Sequence, residues 1–63
     1  MKNKFLYVVN FIVFDKPAFE VILSEQKMSK NLVELEVKNK TFNSAVDFKI
    51  MQYDIELKNE ELL

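Results

Sequence analysis

The stretch FLYVVNFIVF at positions 5–14 decides the fold of this chain. It is rich in aromatic and β-branched residues, which favour β-strands. Alternate residues of a strand point to opposite faces, and here both faces are apolar except at Asn10. A strand of this kind has to be covered on both sides. The sequence therefore predicts a buried strand that ends at the polar break Asp15-Lys16-Pro17.

Two further segments follow before residue 40. Positions 19–26 fit a strand, because aromatic and β-branched residues alternate with polar ones. They also fit a helix near residues 17–28, with Pro17 in its first turn. Positions 33–38 alternate strictly between apolar and charged residues, which is typical of a strand with one solvated face. The sequence predicts a strand for both segments and keeps the helix as the alternative for the first.

The last segment, positions 46–58, also alternates but changes phase at Ile50-Met51. A β-bulge inserts one extra residue into a strand, so a bulge at this step would keep both apolar sets on the core face. The first set is Val46, Phe48 and Ile50, and the second is Met51, Tyr53, Ile55 and Leu57. Positions 59–63 are predicted to be a frayed end or a short helical turn.

Short breaks between strands favour antiparallel neighbours, since parallel neighbours need long crossovers. The predicted fold is therefore all-β: one domain over 1–63, with a four-stranded antiparallel meander packed against a second subunit. The alternative is an α+β fold, β-α-β-β, with the helix near 17–28.

The second subunit is expected because a chain of 63 residues buries too little surface for a secure core. A single sheet leaves one apolar face wet, and large exposed apolar patches usually mark interaction sites. We therefore expect a homodimer or higher oligomer. The side chains predicted for self-association lie on one side of the first strand: Tyr7, Val9, Phe11 and Val13.

The amino-acid composition limits the kinds of catalytic and ligand-binding sites that this chain can form. The chain has no Cys, His or Gly, and its formal net charge is −1. Hydroxyl side chains therefore lack a His or Cys partner, and no glycine-rich phosphate loop can form in its usual way. The sequence predicts no enzyme activity, no catalytic residue, no cofactor and no metal site. The apolar run is too short to span a bilayer, so we expect a cytoplasmic protein without a membrane partner.

Carboxylates recur at a spacing of two residues, as Glu34 with Glu36 and Asp54 with Glu56. On strands, each pair would lie on one face, about 6.6 Å apart. These four residues are the predicted binding site for a protein partner, although interleaved lysines on the same faces also fit ordinary ion pairs.

These observations predict a non-enzymatic protein-binding factor. The Arg-free composition, rich in Lys and Asn, suggests a phage or mobile-element accessory protein that inhibits or modulates a host or defence protein by occupying its surface. The alternative is a small single-stranded nucleic-acid-binding protein, in which aromatic residues stack on bases. A near-neutral charge makes a nucleic-acid partner the weaker hypothesis.

Overall fold

Four strands and one helix form the fold in the computed structural model, which describes residues 2–63. The elements are, in chain order, β1 (Phe5–Val13), β2 (Lys16–Ser24), α1 (Lys30–Lys40), β3 (Ala45–Asp54) and β4 (Asn59–Leu62). All neighbouring strands are antiparallel. The predicted four-stranded antiparallel sheet is confirmed. The helix α1 is an element that the all-β prediction did not include, and packing against a second subunit stays a prediction.

The strand order across the sheet is β2-β1-β3-β4. The central pair is therefore β1 and β3, while β2 and β4 are the edges, and α1 connects the edge strand β2 to β3. The predicted meander is wrong in this respect, because a meander would place β2 between β1 and β3. The apolar stretch that opens the sequence takes a central position, where it is flanked by a strand on each side.

The β1–β2 connection is a two-residue turn made of Phe14 and Asp15. Val13 pairs with Lys16, and both turn residues have positive φ angles, 50° and 62°. That combination is typical of a type I′ turn, whose twist matches that of the flanking strands. The turn leads into β2 as a strand, so the alternative helix near 17–28 is wrong.

The helix lies later in the chain, over the segment predicted as the third strand. Ser29 is the N-cap and its side chain accepts a hydrogen bond from the Leu32 N–H. Val33 and Val37 are both buried, and a spacing of four residues places them on one face of a helix. The strand prediction for 33–38 is wrong because the alternation of apolar and charged residues there also satisfies this helical spacing.

A β-bulge in β3 lies earlier than predicted. Asn10 pairs with Lys49 and Ile12 pairs with Val46, so two residues of β3 stand opposite Phe11 alone. Asp47, one of those two residues, has φ = 57°, a left-handed conformation that Asp tolerates better than most residues. The bulge predicted at Ile50-Met51 is therefore displaced toward the start of β3.

Displacement of the bulge changes which residues of β3 face the core. Ile50 and Gln52 are buried, whereas Met51 and Tyr53, which alternate with them, point to the other side of the sheet. Residues 55–58 form the β3–β4 turn, and the tail is the edge strand β4. The predicted second inside set is thus wrong, and so is the frayed or helical tail.

The core lies between α1 and one face of the sheet, which we call the covered face. It contains eight buried hydrophobic side chains from β1, β2, α1 and β3. They are Tyr7, Val9, Phe11, Ile22, Val33, Val37, Ala45 and Ile50. Phe48 packs against this cluster, with its ring centroid 6.0 Å from that of Phe11. The molecule measures 35 × 20 × 15 Å, the shape of a thin slab.

Candidate binding face

On the opposite side of the sheet, which we call the open face, residues 2–63 place no helix. The strand register brings side chains from all four strands together there. Its members are Leu6, Val8, Asn10 and Ile12 of β1, Pro17, Phe19, Val21 and Leu23 of β2, Val46, Lys49, Met51 and Tyr53 of β3, and Glu60 and Leu62 of β4. Ten of these fourteen side chains are large hydrophobic or aromatic groups.

Exposure on the open face is greatest at its edges. Phe19 and Leu23 on β2 are 69% and 54% exposed, and Leu62 on β4 is 56% exposed. The residues of β1 are half-buried by their neighbours within the sheet, except for Asn10, which is exposed. A continuous apolar surface of this kind on a soluble domain usually marks an interaction site.

Charges on the open face are few and balanced. Lys49 and Glu60 carry opposite signs on the face itself. At one end, the Lys4 Nζ lies 3.9 Å from a carboxylate oxygen of Glu56, with both side chains more than half exposed. A solvated ion pair of this kind contributes little to stability. Together, these charges leave the open face without a large excess of positive or negative charge.

The covered face is held by one buried polar network. The Tyr7 hydroxyl donates a hydrogen bond to Gln52 Oε1 at 2.9 Å and accepts one from the Met28 N–H at 2.7 Å. Tyr7 is fully buried and Gln52 nearly so. The network ties the segment before α1 to the two central strands, which fixes the helix on this side of the sheet and leaves the other side free.

A second contact holds the end of the helix. The Lys40 Nζ lies 2.9 Å from Glu20 Oε1 on β2. The hydrogen bond to this carboxylate, and its charge, raise the pKa of Lys40 above its usual 10.5, with a smaller contribution from Glu36. A lysine with a raised pKa contributes its stabilisation below about pH 10.5 and loses it as the pH rises through the folded-state value. This contact therefore stays intact at neutral pH.

The structure separates the four predicted partner-binding carboxylates. Glu34 and Glu36 lie on α1, where residues two apart point in different directions. Asp54 ends β3 and accepts a hydrogen bond from the Leu57 N–H, and Glu56 belongs to the following turn. They form no common row, and their role in binding a partner stays a prediction.

The residues predicted for self-association lie on the covered face. Tyr7, Val9 and Phe11 are buried within the chain itself, and Val13 packs at the margin of the same cluster. Helix α1 already forms the layer that covers these side chains. Sequence reasoning identified the two apolar sides of β1 but could not tell which one the helix covers. The side missed as a candidate is the set Leu6, Val8 and Ile12.

No known protein family, curated protein or solved structure matches the chain. Within residues 2–63, no pocket was detected and no three acidic residues come together as a group able to hold a metal ion. No helix in this part of the chain is long and apolar enough to cross a membrane.

Proposed function

We propose that this chain is a non-enzymatic protein-binding factor whose binding surface is the open face. The observation that carries the proposal is the continuity of apolar side chains across all four strands on the side without a helix. Protein interfaces have apolar cores with aromatic residues and a polar rim. The open face has this composition, with Phe19 and Tyr53 among aliphatic residues, and with Lys49, Glu60 and the Lys4–Glu56 pair around them.

The binding mode that fits this surface is packing of a second layer. Stacked sheets lie about 10 Å apart, with side chains interdigitating between them. The same layer arrangement already exists on the covered face, where α1 fills it. A partner on the open face would complete a three-layer structure and remove its apolar side chains from water. One form of this proposal is a phage-type factor that occupies the surface of a host or defence protein. The amino-acid composition of the chain supports this form.

The open face is tested with two matched substitutions. Leu23→Lys places a charge on the open face, and Leu35→Lys places the same charge on the solvent side of α1. The two leucines are 54% and 51% exposed, so neither substitution disturbs the core. We expect proteins captured from an extract of the source cell by the wild type to be captured by Leu35→Lys and lost with Leu23→Lys. Equal capture by both variants would contradict the proposal.

A second candidate function is single-stranded nucleic-acid binding. Its support is one row of the open face, in which exposed Phe19 lies beside Asn10 and then Lys49 across three neighbouring strands. An aromatic ring next to a lysine can stack on a base and meet its phosphate. Fluorescence anisotropy with oligo(dT) and oligo(rU) tests it, and binding that weakens steeply with salt would favour it. Absence of binding at low salt would remove it.

A further inference from the structure

We propose that the open face is occupied by a second copy of this chain, in a face-to-face dimer with Asn10 near the twofold axis. This inference rests on the proposed function, because it names the protein partner of the same face. Three features of the chain support it: the surface area, the balance of charge on the open face and the position of one side-chain amide.

The accessible surface is larger than a finished monomer of this size should have. It is 4727 Å² for a 7.5 kDa chain, whereas compact monomers of this mass expose about 4250 Å². The radius of gyration is also larger than expected for a compact domain. It is 11.8 Å, whereas the scaling for 63 residues gives about 10.6 Å. The chain is thus less compact than a finished domain of its size, as expected when one layer is missing.

The open face has the area that a dimer requires. The face extends over the two longer dimensions of the molecule, 35 × 20 Å, which gives on the order of 700 Å². A standard interface buries about 800 Å² on each partner. The apolar part of the open face, with its polar margin, therefore matches one side of an ordinary protein–protein interface.

The charges of the open face allow it to meet its own copy. An isologous interface brings the same patch of each copy together, so an excess of one sign would repel. Lys49 and Glu60 balance each other on this face, and the Lys4–Glu56 pair balances at its margin. The open face offers no complementary charge to a strongly charged partner. A second copy is itself nearly neutral on this face, so the two faces do not repel each other.

Asn10 is the polar residue within the apolar part of β1, and it is exposed on a central strand. On the open face, it is surrounded by Val8 and Ile12 along its own strand and by Phe19 and Lys49 on the neighbouring strands. A side-chain amide has both donors and an acceptor, so it can pair with the same amide of another copy. A single buried Asn can set the register of an interface, as it does in coiled coils. These positions place Asn10 near the axis.

Sedimentation equilibrium tests the dimer with the same matched pair of variants. We expect the wild type and Leu35→Lys to have twice the 7.5 kDa chain mass at micromolar concentrations. Leu23→Lys should dissociate with a Kd raised tenfold or more. A wild-type mass of one chain up to millimolar concentration would overturn the dimer, and so would equal Kd values for the two variants.

The position of Asn10 has its own test. Asn10→Asp would place two carboxylates together at the axis, where like charges disfavour ionisation of both. We expect dimerisation of this variant to be weakened tenfold or more at pH 7, relative to the wild type at the same pH. The difference should disappear at pH 3, where carboxylates are protonated. A variant that matches the wild type at both pH values would overturn the axis position.

Failure of the dimer is distinguishable from failure of the proposed function. If the wild type is monomeric and Leu23→Lys still loses a captured protein that Leu35→Lys retains, the open face binds a different protein and the second copy is excluded. If the wild type is monomeric and both variants capture the same proteins, the dimer and the proposed function are both contradicted.

Discussion

Tyr7 is the residue on which the arrangement of the covered face most depends. Its ring fills the core, and its hydroxyl satisfies the buried amide of Gln52 and the partly buried N–H of Met28. A buried group that loses its partner costs about 1–3 kcal/mol, more than the bond itself contributes. The hydroxyl therefore determines where the segment before α1 lies, and through it the side of the sheet that the helix covers.

Replacing Tyr7 by Phe should lower the free energy of unfolding by about 1–3 kcal/mol, because both partners of the hydroxyl lose their hydrogen bond inside the core. Urea unfolding at a fixed protein concentration measures the change. Tyr53→Phe is the matched control, since Tyr53 is only half-buried and lies on the open face, and its unfolding midpoint should stay near that of the wild type. Equal effects of the two substitutions would contradict the role given to Tyr7.

Several turn residues adopt left-handed backbone conformations in a chain without glycine. Phe42, after the helix, has φ = 53° and is 92% exposed. The Asn43 N–H bonds to the Lys38 carbonyl at 2.8 Å, so Phe42 takes the position where a helix usually ends on glycine. Left-handed geometry costs a residue with a side chain about 1–2 kcal/mol, and an exposed ring gains little packing in return.

Phe42→Gly should consequently raise the free energy of unfolding by about 1 kcal/mol, because glycine adopts this conformation without a steric penalty. Phe42→Ala is the control: it removes the ring but keeps the Cβ, so it should stay close to the wild type. Thermal unfolding of the three proteins gives the comparison. A Gly variant no more stable than the Ala variant would show that the backbone at this position carries no such cost.

At the scale of elements, the strands with aromatic and β-branched residues were predictable from the sequence, whereas the helix was not. β1 and β2 follow from their residue types. The segment 33–38 has apolar residues at positions 33, 35 and 37, and two of these, Val33 and Val37, also fit one face of a helix. The pattern alone does not distinguish the two periods over so few residues. The sequence analysis did not use Ser29, a residue type that is common at N-caps and that could have indicated the helix.

The N-cap provides a test of that helix. Ser29→Ala removes the acceptor for the Leu32 N–H, and loss of a capping side chain costs about 1 kcal/mol. Ser29→Asp keeps an acceptor and adds a negative charge where α1 has no acidic residue in its first turn. We expect urea unfolding to rank Asp at or above the wild type and Ala below it. The same stability for Ala and wild type would contradict the cap.

The candidate site was only partly predictable, for a reason that also lies in the elements. The sequence shows that β1 is apolar on both sides, and the structure covers one of these sides with α1. It does not show which side meets α1, because that depends on the Tyr7 network and on the bulge at Asp47. Gln52 illustrates the limit: it occupies a position that alternation assigns to solvent, and it is buried as the partner of Tyr7.

At the scale of the whole molecule, the fold is a helix and a sheet with one apolar side uncovered. A flat shape, an enlarged surface and an apolar face of interface size have one explanation in common, which is a missing layer. In the proposed dimer, a second copy supplies this layer and also stabilises the folded chain, because association favours the native state by mass action. The unfolding temperature should therefore rise with protein concentration.

The most direct test of this account is an isotope-filtered NOE measurement on a mixture of ¹³C-labelled and unlabelled chains, which detects contacts between copies only. We predict intermolecular contacts at the methyl groups of Val8, Val21 and Leu23 on the open face. Contacts between copies confined to Leu32 and Leu35 on α1, or none at millimolar concentration, would contradict it.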